Sequence, residues 1–177
     1  MINKDYIYPP EDYLYVPRRG PIDLILSIKD LIINNTCCEI GCASGYLLNF
    51  VKENLNKNII GIEYRKNAVE YCLKYNYNVS LCDATTDVIP ECNLYYGWFG
   101  NYDTEKKIIN NLIKLYNNKI LIIFFSNSVN IEVESYNLHI NNLKKNYIKY
   151  ETFLCNPIKE PHKHYLKGFL GLKIFIN

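Results

Sequence analysis

The alternation of short apolar runs with longer amphipathic ones constrains this chain more than any other feature. The runs TCCEIG (36–41), NIIGIE (58–63), VSLCD (79–83), NLYYGWF (93–99) and KILIIFF (119–125) are rich in Ile, Val, Tyr and Phe. They are mostly bounded by Asn, Gly, Pro or charge, which reads as strands. Between them, 46–55, 66–75 and 104–116 carry helical spacing, the last through Ile108, Ile109, Leu112, Ile113 and Leu115. Asp103 or Thr104 is the expected cap of that third helix, where a carboxylate is favoured. Strands that alternate with helices build a mainly parallel sheet covered on both faces, so an α/β fold is predicted. The link ATTDVIPEC between the third and fourth strands has room for no more than a turn of helix.

The two ends complete the outline. Pro21 starts PIDLILSIKDLIINN, read as one helix with Pro in its first turn and a stripe through Ile22, Ile25, Leu26, Leu31 and Ile32. The Tyr- and Pro-rich leader before it reads as an extended arm, giving an arm over 1–20 and a core over 21–177. After the fifth strand come a helix over 131–145, a strand in YIKYETFLC (147–155) and a last strand in FLGLKIFIN (169–177). Two closing strands joined without a crossover helix must be antiparallel. With 177 residues, 49% of them hydrophobic, the whole chain reads as one domain with one core.

Charge and cysteine usage narrow the function. Twenty Lys and Arg against 18 Asp and Glu leave a net charge of +2, with no basic arm, so nucleic-acid binding is not indicated. The first residues hold charges and prolines where a signal peptide needs an apolar segment, and no stretch approaches the roughly 18 apolar residues of a membrane span. A soluble, cytoplasmic protein is expected, and a homo-oligomer stays open. None of the seven cysteines forms a C-x-x-C pair, and the adjacent Cys37 and Cys38 point to opposite faces of a strand. No metal site is expected, and the cysteines read as small buried side chains.

The chemistry concentrates at the first strand-to-helix turn, Glu39-Ile40-Gly41-Cys42-Ala43-Ser44-Gly45. Glycines at 41 and 45 let a ligand lie against backbone N–H groups at the start of the following helix. About eighteen residues after Gly45 the second strand ends at Glu63, where a carboxylate can accept from both hydroxyls of a ribose. About twenty residues further, the third strand ends at Asp83, at the same edge of the sheet. Singly, Glu39 and Asp83 read equally as cap or turn acids, and Glu63 as a partner of Arg65. Their joint placement at three strand ends points to a ligand.

This arrangement resembles the class I S-adenosylmethionine-dependent methyltransferase family, whose first motif is an acid followed by Gly-x-Gly-x-Gly or the looser Gly-x-x-x-Gly. The resemblance covers roughly 36–125 and implies a Rossmann-like seven-stranded sheet of order 3-2-1-4-5-7-6, the last strand antiparallel. It further implies S-adenosyl-L-methionine as cofactor, with Glu39 near the methionyl amino group and Gly41, Cys42, Ala43 and Gly45 along the cofactor. Glu63, with Tyr64 beside it, would hold the ribose, Asp83 the adenine amino group, and Ala84 would pack beside the ring. Ala43 replaces the middle glycine of the stricter motif. An NAD-binding loop is the nearest competitor, but its third glycine would fall at Tyr46.

The acceptor side is less defined. The fourth strand and its end, NLYYGWFGNYD, lack the Asp/Asn/Ser-Pro-Pro-aromatic sequence by which amino-group methylases of nucleic acid resemble one another. The place where metal-dependent catechol-type methyltransferases carry an Asp is taken by Trp98 and Phe99. Trp98 reads as a wall of the cofactor site or as core. Tyr13, Tyr15, Arg18 and Arg19 read as a lid or as a packed arm. His162 and His164, in the loop between the last strands, read as solvated loop histidines or as candidate bases, and the catalytic residue stays open. With almost no insertion between core strands, the expected acceptor is a small molecule or glycan unit, methylated at O or N. RNA or protein methylation, or a non-catalytic cofactor-binding subunit, are the alternatives, and an NAD-binding oxidoreductase ranks below them.

Overall fold

The computed structural model describes residues 19–99, 101–126, 130–146, 148–155 and 169–176. Helices α1 (Arg19–Ser27) and α2 (Lys29–Asn34) lead into β1 (Cys37–Ile40), α3 (Tyr46–Leu55) and β2 (Ile60–Glu63). Next come α4 (Lys66–Lys74), β3 (Val79–Leu81), β4 (Leu94–Gly97), α5 (Tyr102–Leu115) and β5 (Lys119–Ser126). The chain closes with α6 (Asn130–Lys145), β6 (Tyr150–Cys155) and β7 (Phe169–Ile176). The strands form one seven-stranded sheet in the order β3-β2-β1-β4-β5-β7-β6. The five inner and leading strands pair in parallel, and β7 runs antiparallel to both β5 and β6. This is the expected order and sense.

Helices cover both faces. Cys37, Tyr96, Ile122 and Phe124 look toward α1–α4, in one core with Ile25, Ile32, Leu48 and Val51. Cys38, Tyr95, Leu121 and Ile123 look toward α5 and α6, in a second core with Ile108, Leu112 and Leu143. Neighbouring strand residues therefore feed opposite cores, as the period of two requires. Cys37, Cys38, Cys42, Cys72, Cys82 and Cys92 are buried free thiols. No helix of the described residues is long and apolar enough to cross a membrane.

Local chemistry corrects several boundaries. The helix expected over 21–35 is two helices, and it begins at Arg19, inside the segment read as an arm. Ser27 Oγ donates to Leu24 O at 2.6 Å, and the Ile28 N–H goes to Ile25 O, so the α-helical ladder breaks at Ile28. Tyr13, Tyr15 and Arg18, read as a lid or as a packed arm, lie outside the described residues. Helix α5 is capped by Asn101, whose side chain accepts from the Thr104 N–H at 2.9 Å, in place of Asp103 or Thr104. Asp103 and Glu105 then fall in its first turn. The first four strands are shorter than their apolar runs, whereas β5 runs one residue further, to Ser126: β3 stops at Leu81, two residues before Asp83. A single turn follows, with the Thr86 and Asp87 N–H groups bonded to Asp83 O.

Candidate functional site

The turn after β1 is a backbone device. The N–H groups of Gly41 and Cys42 both donate to Ile62 O, at 2.8 and 3.1 Å, fastening the turn to β2. Gly41 (φ +73°), Ala43 (φ +50°) and Gly45 (φ +77°) all take left-handed conformations. The middle position thus carries a strained alanine in a conformation that suits glycine. The space around Gly41 is open: a Cβ built there meets no atom within 4 Å. Gly45 differs. It lines neither cavity described below, and a Cβ there would lie 2.5 Å from the Tyr77 ring, so its smallness serves the packing of α3 behind the turn.

Two cavities meet at this turn, sharing Ile40, Gly41 and Trp98 as a common wall. The first, of about 400 Å³, holds Glu39, Cys42 and Ala43 and is walled by Tyr46, Tyr96 and Phe124. The second, of about 490 Å³, holds Glu63, Tyr64, Arg65, Asp83 and Ala84. Together they run along the C-terminal edge of β3, β2, β1 and β4, where open α/β sheets bind ligands. Either volume is in the range of small-ligand sites.

Glu39 sits opposite Gly61 on β2 and Tyr96 on β4. Glu39 is 6% exposed, and its Oε2 has no hydrogen-bond partner among the described residues. Burial, then the neighbouring Cys72 thiol and Glu63 carboxylate, push its pKa up to about 8. Tyr96 is 1% exposed with its hydroxyl likewise unpartnered among the described residues, and burial, then Glu39, hold its pKa well above the usual phenol range. Two adjacent strands thus each present to one cavity a buried oxygen that has no partner among the described residues, an arrangement that is costly unless a ligand pairs with it.

Glu63 is the opposite case. The residue is 2% exposed and its carboxylate fully engaged. Oε2 accepts from the Ala43 N–H at 3.0 Å and from Arg65 Nη2 at 3.1 Å, and Oε1 accepts from the Arg65 N–H at 3.0 Å and from Arg65 Nε at 2.9 Å. Asp83 forms a turn of its own, with Oδ1 accepting from the Thr85 N–H at 2.9 Å and the Thr85 hydroxyl at 2.6 Å. Ala84 is buried, Tyr64 is 62% exposed at the rim, and Trp98 is half-buried. The expected acids and small residues, Gly45 apart, are therefore gathered on this edge.

His162 and His164 lie outside the described residues. The described histidine is His139, which the sequence reading passed over. It is fully buried with Nε2 2.8 Å from Glu105 Oε2, to which Ser135 Oγ also donates at 2.6 Å. This cluster ties α5 to α6 and lines neither cavity. Ser135, His139 and Leu143 recur every four residues, so a polar pair on the buried face of α6 was the available signal. Among the described residues no group of three or more His, Cys, Asp or Glu is placed to hold a metal ion.

No known family model and no curated protein matches the chain by sequence. Solved structures do match. The glycopeptide N-methyltransferase MtfA, complexed with S-adenosyl-L-homocysteine, superposes with a TM-score of 0.68 at 6% identity, over 97% of this chain and 99% of its own. The plantazolicin methyltransferase BpumL, in complex with the same molecule, gives 0.66 at 12% identity, over 95% and 91%. The ribosomal protein L11 methylase from Lactobacillus delbrueckii subsp. bulgaricus gives 0.61 at 13% identity, over 90% and 79%. At such identities the likeness shows the fold: this chain has the Rossmann-like methyltransferase fold.

Proposed function

We propose that the chain is an S-adenosyl-L-methionine-dependent methyltransferase acting on a small molecule or glycan unit. The observation that carries the reading is the two-part cavity at the carboxyl edge of the sheet, with the buried acid Glu39, whose Oε2 has no partner among the described residues, at one end and Glu63 and Asp83 at the other. The residues present fit the cofactor. Glu39, with Tyr96 opposite it on β4, takes the methionyl ammonium; the open space at Gly41 admits the chain of the ligand. Glu63 takes the ribose hydroxyls, Asp83 the adenine amino group, Ala84 packs beside the ring, and Trp98 walls the passage between the two halves.

When bound, S-adenosyl-L-methionine supplies an electrophilic methyl group on a sulfonium sulfur. The protein's part is alignment of the acceptor in line with that group and exclusion of water. For an oxygen acceptor a base must also take a proton, and His162 and His164 are the proposed donors of that function. The NAD-binding alternative is disfavoured by Tyr46, which stands where the third glycine belongs and whose side chain lines the first cavity. A protein or RNA acceptor is the second reading, supported by the likeness to a ribosomal-protein methylase.

A methyl-transfer screen over sugars, nucleotides, small amines and peptides, read by S-adenosyl-L-homocysteine release, tests the proposal. Turnover of a sugar or small metabolite is expected. Turnover of RNA or peptide alone overturns the acceptor class, and cofactor binding without turnover of any acceptor points to a non-catalytic subunit.

A further inference from the structure

Arg18, Arg19 and Arg65 are the arginines of this chain, and Arg65 alone of them lies beyond the first helix. It occupies a singular place. An ionised carboxylate offers about four lone-pair positions, and on Glu63 four N–H groups fill them. Two of these donors, the Ala43 and Arg65 amides, belong to the backbone and stay where the turn and the strand end hold them. The other two, Nε and Nη2, belong to a side chain that is 27% exposed and lines the second cavity. A vicinal diol brings two O–H donors and needs two positions on the carboxylate. The positions available to it are those the guanidinium fills.

We propose that Arg65 is a displaceable stand-in for the ribose diol on Glu63, and so a determinant of ligand affinity and of selectivity for an intact diol. This rests on the methyltransferase reading of the site. The guanidinium fork pairs with a carboxylate through two parallel bonds, which a single hydroxyl cannot replace one for one. A ligand must release both, and only a 2′,3′-diol refills both. The guanidinium carbon already lies 5.8 Å from the centroid of the exposed Tyr64 ring, which gives the displaced cation an aromatic face at the rim. Because only the open fraction of the chain accepts the ligand, the latch lowers apparent affinity by that fraction.

Calorimetry of S-adenosyl-L-homocysteine binding to the full chain and to Arg65→Met, Arg65→Lys, Glu63→Gln and the Glu63→Gln/Arg65→Met double variant provides the test, with thermal melts to establish folding. Arg65→Met should bind about threefold to tenfold tighter than the unaltered chain, as expected for release of a partly exposed ion pair. Arg65→Lys, with a point charge in place of the fork, should fall between them and serves alone if Arg65→Met does not fold. In the Glu63→Gln background the gain should vanish. Equal or weaker binding by folded Arg65→Met, when the unaltered chain binds, overturns the latch and leaves the methyltransferase reading standing. Absence of binding by both folded proteins overturns the methyltransferase reading, and the latch with it.

Discussion

Glu39 is buried without a full set of partners, and its proton is where that burial shows. Its folded pKa of about 8 exceeds the ordinary value of 4.5, so between these limits the folded chain holds a proton that the unfolded chain has released. Stability contributed at this site therefore falls as pH rises from about 4.5 to about 8 and stays low above it. Glu39→Gln, a neutral isostere, should gain on the unaltered chain by at least about 1 kcal/mol between pH 5 and pH 8 in denaturant melts. A difference independent of pH would contradict this. Glu39, Glu63 and Asp83 were legible because acids at strand ends stand out against apolar runs. Arg65 was legible only as an ion-pair partner of Glu63, as it proves to be, and not as a wall of the cavity; Tyr96 was not legible, because it matters through a strand register that brings it beside Glu39.

At the scale of elements, the turn between β1 and α3 is where backbone conformation and packing coincide. Gly45 caps α3 at φ +77°, and a methyl there would strike Tyr77. Gly45→Ala should destabilise the chain by at least about 1 kcal/mol, seen as a lower thermal midpoint, through the left-handed backbone alone. A midpoint unchanged by the substitution would show that the turn relaxes. The two-glycine spacing announced this turn, but not that its glycines divide their work, Gly41 leaving room and Gly45 admitting α3 against Tyr77. The break at Ile28 was hidden for a related reason: the apolar stripe continues through it, and the Ser27 hydroxyl that ends the ladder is a local competitor of the backbone. Asn101 escaped notice as a cap because Asp103 and Thr104, equally good by residue type, follow it in the sequence.

For the whole molecule, the sense of the strands followed from pattern and their order from the family resemblance. Alternating apolar and amphipathic segments dictated a parallel sheet, and the missing crossover before the last strand dictated the antiparallel ending, since these constraints act along the entire chain. What that sheet creates is one ligand-sized groove at the carboxyl edge, set between Glu39 on one side and Glu63 and Asp83 on the other. The claim that this groove holds S-adenosyl-L-methionine is met most directly by calorimetry with S-adenosyl-L-homocysteine. One site per chain is predicted, with affinity lowered at least about tenfold by Glu63→Ala, as expected for loss of a charged acceptor of two hydrogen bonds. Absence of binding by the folded chain at hundreds of micromolar, or an affinity untouched by Glu63→Ala, would contradict it.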